Sequence, residues 1–449
     1  MSVPNLDTKL KILVMDGKNH ITPEISDILE DGFELTSVGS FKGVISELSS
    51  NPLPWYSLII FDSSQLSGIR NLELKITDIR EQDNFVPFMV YGRGITRVIS
   101  EVVRGGYDDF EGNSNLYAAK DQRGLQEELG LIFSPPIVLP NLTVVKLGGS
   151  SFDYDIDCKN RNIEEVCKIL TRMLQEKNRI ILTAGAGPYG DISKDFIAQH
   201  GQRISLDKHF SQIMVRNLQT NLKLLEKLFD EDYAFLVDLG FFYNITEEST
   251  AKRIPLISTA PHYVMAREGI PLQDSDTHTV ALAEFYGAER IVLIKRTDGI
   301  YDFDPYRGRP FGVDLSQDTP GNQRLLYNWI EAQKDNKRHS KVTARGMLEG
   351  NISRIGTNMK GGFDGSTGHL MEDSALRYMM DRCSRVKEIA IVHIAPEEMH
   401  YRIGGDQYRH VVTGDTVNID PMIGWAGVLE QNIRAAFAGK AQSKIVRAE

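Results

Sequence analysis

The chain has 449 residues, 41% hydrophobic and 25% charged, and its 51 Lys and Arg against 61 Asp and Glu leave a formal net charge of −10. That length favours two or three separately cored domains, and the negative balance argues against a nucleic-acid partner, which needs clustered Lys and Arg to displace counterions. The three cysteines, Cys158, Cys167 and Cys383, have no metal-ligand spacing and cannot form a disulfide framework. No apolar run reaches bilayer length, and the N-terminus lacks a basic segment followed by a long apolar one. The expectation is a cytoplasmic protein without a membrane partner.

From Leu10 to Phe133 short apolar runs alternate with amphipathic stretches. KILVMD, ELTSVG, WYSLIIFD, VPFMVYG and YDDFEG (107–112) read as strands. The intervening segments, and LYAAKDQRGLQEELGLIF after the last strand, read as helices. Five such βα units specify a doubly wound parallel sheet. SPPIVLPN, residues 134–141, carries three prolines and reads as a semi-rigid linker. The predicted organisation is therefore a domain over 1–133, the linker, a second domain over 142–413 and a tail over 414–449.

This first domain resembles a response-regulator receiver, a CheY-like (βα)5 fold. Asp62, closing the third apolar run, matches the phosphoacceptor aspartate, and Asp16 matches one member of the acidic metal-binding pair. Other positions depart from the pattern. Met15 and Gly17 leave the acidic pair incomplete, Tyr91-Gly92-Arg93 replaces the hydroxyl residue, and Asn113 stands where the lysine is expected. The resemblance implies a pseudo-receiver used for packing or partner binding, with Asp62 as its candidate phosphoacceptor.

In the second domain three motifs stand out. VVKLGGS (144–150) is an apolar strand ending in Lys146, Gly148, Gly149 and Ser150, and a helical pattern, IEEVCKILTRMLQEKN, follows it. Two residues without side chains beside a cation suit a phosphate site. RIILTAGAGPYGD (179–191) is a second strand running into Gly185, Ala186 and Gly187. The third motif is IPLQDSDTHTVALAEFYGAERIVLIKRTDGIYDFDP (270–305), with Asp276 placed as the N-cap of a helix and Asp298-Gly299 as a turn after a strand. Between the second and third lies a long amphipathic helix, HFSQIMVRNLQTNLKLLEKLF, whose Arg216 and Asn217 read first as a solvated helix face and otherwise as candidates to face the second loop.

In this order the motifs resemble the amino acid kinase superfamily, in its uridylate-kinase-like branch and nearest within it to the molybdenum storage protein. The resemblance implies the amino-acid-kinase fold, a three-layer αβα sandwich on a mainly parallel sheet, with ATP and Mg²⁺ as cofactors. It makes Lys146, Asp276 and Asp298 the catalytic candidates. The implied ATP contacts are Lys146, Gly148, Gly149, Ser150, Lys295, Thr297, Asp298, Gly299, Tyr301, Phe303, Asp304 and Pro305. Gly185, Ala186 and Gly187 would form the acceptor or oxoanion cradle, although Pro188, Tyr189 and Gly190 stand where relatives carry arginine. His262, in STAPHYVMAREGIPLQDSDT (258–277), is the metal-ligand candidate, set against a hydrogen-bonded loop histidine. Family members commonly form dimers or hexamers, so a homo-oligomer binding a small anion is implied.

The segment over 307–370 is rich in glycine and basic residues, shows little periodicity, and reads as an insertion, either a lid or oligomer contact or a partly disordered stretch. Three functions follow from the whole. One is ATP-dependent gathering of molybdate or tungstate, and a second is phosphoryl transfer to a small acceptor such as a nucleotide monophosphate. The third is a non-catalytic nucleotide-sensing scaffold.

Overall fold

Two mainly parallel sheets organise the described residues. The structure, a computed structural model, describes residues 9–16, 33–50, 56–66, 86–92, 116–133, 137–152, 161–187, 206–230, 232–237, 245–270, 274–297, 299–302, 320–349 and 373–447, with 23, 25, 27, 28, 75, 76, 78, 79, 242, 305, 309 and 371 between them.

In the first sheet β1 (Leu10–Met15), β2 (Phe33–Val38), β3 (Leu58–Asp62), β4 (Phe88–Tyr91) and β5 (Leu116–Ala119) pair in parallel in the order 2-1-3-4-5. Successive strand residues serve opposite faces. Leu13, Met15, Ile59 and Phe61 join α1 (Phe41–Ser50) and Leu66 of the short α2 (Ser63–Leu66), whereas Ile12, Val14, Leu58 and Ile60 join α3 (Gln122–Ile132). Helices on both faces of a parallel sheet make it doubly wound, as the alternating pattern requires.

The fifth strand differs from expectation. It is Leu116–Ala119, taken from the segment assigned to the last helix, while 107–112 and Asn113 lie outside the described residues. Lys120, not Asn113, therefore follows β5. The helix starts late because Asp121 caps it, its carboxylate accepting from Gly124 N–H at 2.9 Å.

The second domain is built on β6 (Leu142–Leu147), β7 (Arg179–Ala184), β8 (Ala234–Leu236), β9 (Ile254–Leu256) and β10 (Arg290–Lys295). A separate ribbon pairs β11 (Ile300–Tyr301) with β12 (Arg338–His339). The main sheet is completed by β13 (Lys341–Thr343), β14 (Glu388–His393) and, after a meander of β15 (His400–Gly404), β16 (Gln407–His410) and β17 (Thr416–Asn418), by β18 (Lys444–Val446). Its eight strands run in the order 13-18-14-10-6-7-9-8, and β14 with β18 is the antiparallel pair.

The helices are α4 (Arg161–Gln175), α5 (Leu206–Leu228), α6 (Glu247–Lys252), α7 (His262–Glu268), α8 (Ser275–Phe285), α9 (Pro320–Gln333), α10 (Ala344–Leu348), α11 (Asp373–Asp381) and α12 (Gly424–Phe437). On one face Val144, Ile181, Ile291 and Leu293 pack with α7, α8 and α11; on the other Val145, Leu182, Val292 and Ala390 pack with α4, α5 and α12. This is the mixed three-layer α/β architecture expected from the sequence.

Two segments are more ordered than the sequence suggests. The stretch over 307–370, read as aperiodic, contributes α9, β12, β13 and α10, with Trp329 of α9 fully buried. The supposed tail over 414–449 returns to the core. β18 lies between β13 and β14, Ile445 is buried there, and Glu388 of β14 bridges Arg290 of β10 at 2.5 Å and Lys444 of β18 at 2.8 Å. A three-residue strand shows too short a pattern to be recognised, and only its neighbours make it one.

The linker does not swing free over its described part. Leu139 is buried in the second domain's core, and its N–H donates to Tyr286 C=O at 2.9 Å. Across the boundary an aromatic ladder runs Phe33 to Phe133 (5.0 Å between ring centroids), Phe133 to Tyr263 (5.6 Å), Tyr263 to Phe285 (6.2 Å) and Phe285 to Tyr286 (4.9 Å). Each such pair adds about 0.5–1.5 kcal/mol beyond area burial. Phe133→Ala removes two rungs at a half-buried site, so about 2 kcal/mol of stability is expected to be lost. Urea unfolding checks this, and an unchanged midpoint would refute the ladder's role.

Helix α8 is locked at its C-terminal end by Glu284. One carboxylate oxygen accepts from Ser384 N–H (3.0 Å) and Ser384 Oγ (2.8 Å), the other from Arg385 N–H (2.9 Å) and Val386 N–H (3.3 Å). Burial opposes the charge, but these donors outweigh it and hold the carboxyl below its ordinary range. A depressed carboxylate stabilises the fold at pH values above its unfolded pKa, and the contribution is lost as pH falls through the folded value. Glu284→Gln places an amide NH₂ against a donor. The expected cost is about 2 kcal/mol at neutral pH, scaled down for a half-exposed group, with a shallower acid-side decline in melting temperature than wild type. Superimposable melting-temperature profiles against pH would refute it.

Candidate active site

The site forms at the carboxyl ends of β6, β7 and β10, where open α/β sheets present their loops. Lys146 is the fifth residue of β6 and shares its side with Val144, so its side chain enters the layer that holds α8. It is 2% exposed, and its ammonium donates to Ser275 Oγ at 2.9 Å and pairs with the Asp276 carboxylate. Burial pushes the lysine's pKa down and neighbouring Lys295 adds to that, while Asp276 and Asp274 work the other way. A buried lysine paired with one carboxylate and flanked by a second lysine favours an anion beside it, since more negative charge would relieve the Lys146–Lys295 repulsion.

Asp276 is not the helix cap. Asp274 is, accepting from Thr277 N–H at 2.9 Å and Thr277 Oγ1 at 2.5 Å, with Ser374 Oγ donating to the same carboxylate from the start of α11. Asp276 therefore sits inside the first turn of α8, where a carboxylate gains from the helix dipole and its side chain is left for Lys146. Asp274, Ser275 and Ser374 were not singled out from sequence. Asp274 fits a capping pattern, Asp-x-x-Thr, but so does Asp276 with Thr279, and Ser374 lies a hundred residues away and carries no local signal.

The two glycine loops meet directly. Gly185 N–H donates to Leu147 C=O at 2.7 Å and Gly148 N–H to Ile294 C=O at 2.8 Å, which pins both loops to the strand ends. A Cβ on Gly149 would lie 3.1 Å from Gly187 N and 3.9 Å from Ala186 N. Gly187 needs its lack of a side chain for its backbone too, at φ +72°. Asn221 of α5 donates to Gly185 C=O at 2.7 Å, and Thr183 of β7 shares a 3.0 Å hydrogen bond with Thr279 of α8. Arg216 lies on an exposed part of α5, in keeping with a solvated helix face, and the contact to the second loop comes from Asn221.

Lys295 closes the other side. A Cβ on Gly148 would fall 2.5 Å from Lys295 Cγ, so the glycine lets the lysine stem lie across the loop. Beyond it, Thr297 is buried and its Oγ1 donates to Gly299 C=O at 3.0 Å, and Tyr301 is fully buried in β11. Asp298, Phe303 and Asp304 lie outside the described residues, as does the side chain of Ser150. The structure thus brings Lys146, Asp276, Gly148, Gly149, Gly185, Ala186, Gly187 and Lys295 together. Asp62 stands in the first domain, its carboxylate accepting from Ser64 N–H and Ser64 Oγ, both at 2.8 Å. His262 opens α7, buried. Among the described residues no group of three or more His, Cys, Asp or Glu side chains is placed to hold a metal ion. Among them, too, no helix is long and apolar enough to cross a membrane.

The stretch holding these motifs has known relatives. Residues 141–310 match the amino acid kinase family. That segment carries Lys146, both glycine loops and Asp276. Among solved structures the chain is similar to uridylate kinase from Archaeoglobus fulgidus (16% identity, TM-score 0.40, 68% of this chain and 99% of that one). It is also similar to UMP kinase from Bacillus anthracis (12%, 0.40, 69% and 97%). A third similarity is to aspartate kinase from Synechocystis (14%, 0.36), and it covers 56% of this chain and 38% of the aspartate kinase.

Proposed function

We propose that the kinase-like domain binds ATP and transfers its γ-phosphoryl group to a small anionic acceptor. The observation that carries this reading is the junction of the two glycine loops beside the buried Lys146–Asp276 pair. In the proposed arrangement Gly148 and Gly149 let the backbone approach the nucleotide phosphates, and Lys146 and Lys295 offset their charge. Gly185, Ala186 and Gly187 hold the acceptor. The bond from the γ-phosphorus to its bridging oxygen breaks, a bond to an acceptor phosphate or carboxylate oxygen forms, and ADP leaves. Such a transfer depends on positioning and charge, which a rigid strand-end site supplies. Asp276 holds the Lys146 ammonium in place, and Mg²⁺ accompanying the nucleotide would neutralise further phosphate charge.

The reading as an oxometalate store, drawn from the resemblance to the molybdenum storage protein, gains no supporting contact among the described residues and is not carried further. For the first domain we retain the pseudo-receiver reading. Its sheet order suits that fold, and the Asp62 carboxylate is engaged in local hydrogen bonds to Ser64. The test of the kinase reading is ADP release from Mg·ATP by the full chain, alone and with UMP, aspartate, phosphate or molybdate. Stimulation by one oxyanion acceptor with formation of its phosphorylated product supports it. Failure to bind or turn over ATP under all conditions would sink it.

A further inference from the structure

Asp274 carries more than its place at the head of α8 requires. Its Oδ1 accepts from Thr277 N–H at 2.9 Å, and its Oδ2 accepts from Thr277 Oγ1 at 2.5 Å and from Ser374 Oγ of α11. Its C=O accepts from His278 N–H at 3.1 Å, so main chain and side chain both hold the first turn. A cap of this kind needs an oxygen acceptor and no charge, since Asn and Ser serve as well as Asp. Yet residue 274 is a carboxylate, and it is only 9% exposed, where burying charge is unfavourable.

The two residues after the cap both meet Lys146. Ser275 Oγ accepts from its ammonium at 2.9 Å, and Asp276 pairs with it. Ser275 C=O accepts in turn from Thr279 Oγ1 at 2.8 Å, and that hydroxyl shares a hydrogen bond with Thr183 of β7. The first turn is thus fastened to β6, β7 and α11 at once. Among the described residues, the charged groups that act on Lys146 are Asp276 and Asp274 from the head of α8 and Lys295 from β10, while β7 sets the uncharged Thr183 beside it. Burial and Lys295 oppose the lysine's charge, and Asp276 and Asp274 favour it. Two lysines here face two aspartates, and without Asp274 the balance tips against the ammonium.

We propose that Asp274 is a positioning residue for phosphoryl transfer that acts through Lys146: it seats Ser275 and Asp276 on the lysine, and its negative charge keeps the lysine an ammonium until phosphate arrives. This rests on the phosphoryl-transfer reading above. A lysine that lost its proton in the empty site would offer the incoming phosphates a neutral amine, with no charge to set against theirs.

The test follows kcat/KM for Mg·ATP against pH on the full-length protein, read as ADP release without acceptor and with UMP, aspartate, phosphate or molybdate. The pH dependence of kcat/KM reports groups of the free enzyme. Asp274→Asn keeps the cap, because Asn accepts from Thr277 N–H as Asp does, and the hydroxyls of Thr277 and Ser374 can turn to accept from the new amide. Its melting temperature is expected close to that of wild type, with the alkaline limb of the profile moved to lower pH. The loss in kcat/KM should therefore grow with pH, from less than about threefold on the acid side to about tenfold on the alkaline side. Ser374→Ala keeps the charge and loses one hydrogen bond, so its limb should coincide with wild type and its kcat/KM should fall less than about threefold. The positioning role is overturned if Asp274→Asn leaves the limb unmoved, or if Ser374→Ala moves it equally, since loosening of the turn and not charge would then be the cause. Should Asp274→Asn fail to fold, Asp274→Ser, which also caps without charge, decides by the same limb. If the wild-type protein releases no ADP under any of these conditions, the phosphoryl-transfer reading fails and takes this proposal with it, whereas wild-type turnover with an unmoved limb in the variant sinks the proposal alone.

Discussion

Lys146→Met should lower ATP turnover by about 10²–10³-fold, the range for deleting one charge-stabilising donor from a water-excluded site. The same change should destabilise the fold, because it strands the Asp276 carboxylate in a buried position without its cation. Breaking one side of a buried pair costs about 3–5 kcal/mol. The double variant Lys146→Met with Asp276→Asn separates the two effects. It removes the orphaned charge, so most of the thermal stability is expected to return while turnover stays low. ADP release and thermal unfolding measured on all three proteins check this. Full turnover in Lys146→Met would dismiss the site. Recovery of turnover in the double variant would make the lysine a structural counter-ion only.

Gly185→Ala is expected to be nearly as damaging, for a steric reason. The new Cβ would fall 2.3 Å from Gly149 N, 2.8 Å from Gly149 Cα and 3.0 Å from Gly148 C. These are backbone atoms tied to the ends of β6, so no side-chain rotation relieves the clash. The two loops must separate, and over-packing of this kind costs about 1–3 kcal/mol. A displacement near 1 Å between donor and acceptor cradles lowers turnover by about 10²-fold. Gly130→Ala is the control. It lies on an exposed turn of α3 with nothing within 4 Å of the added Cβ, and should stabilise by up to about 1 kcal/mol. Wild-type turnover in Gly185→Ala would mean that the two loops do not act as one site.

The sequence was legible where a pattern is long and self-contained. β1, β3, β6 and β10 are apolar runs buried on both faces of parallel sheets, and α4 and α5 have helical periodicity over several turns. It was less legible where an element is short or a cap is ambiguous. LYAA and KIV are four- and three-residue strands, and nothing local distinguishes them from a helix start or a tail. In QDSDTHT two aspartates compete for the cap of α8, and spacing alone does not choose between them. The choice depends on Lys146, which sits 130 residues earlier and draws Asp276 inward while Asp274 turns back to Thr277.

By itself, then, the sequence determined two α/β domains, the order of the strand-end motifs and the residue types able to hold a phosphate. These follow from periodicity, glycine freedom and charge, which are properties of neighbours along the chain. Only the tertiary structure decided that Gly185 abuts Gly149, that Asn221 and not Arg216 reaches the second loop, and that Ser374 enters the site's surroundings. Those contacts join residues far apart in sequence. They arise from how the sheets stack their helices, and a hydroxyl or amide placed by packing leaves no periodic trace.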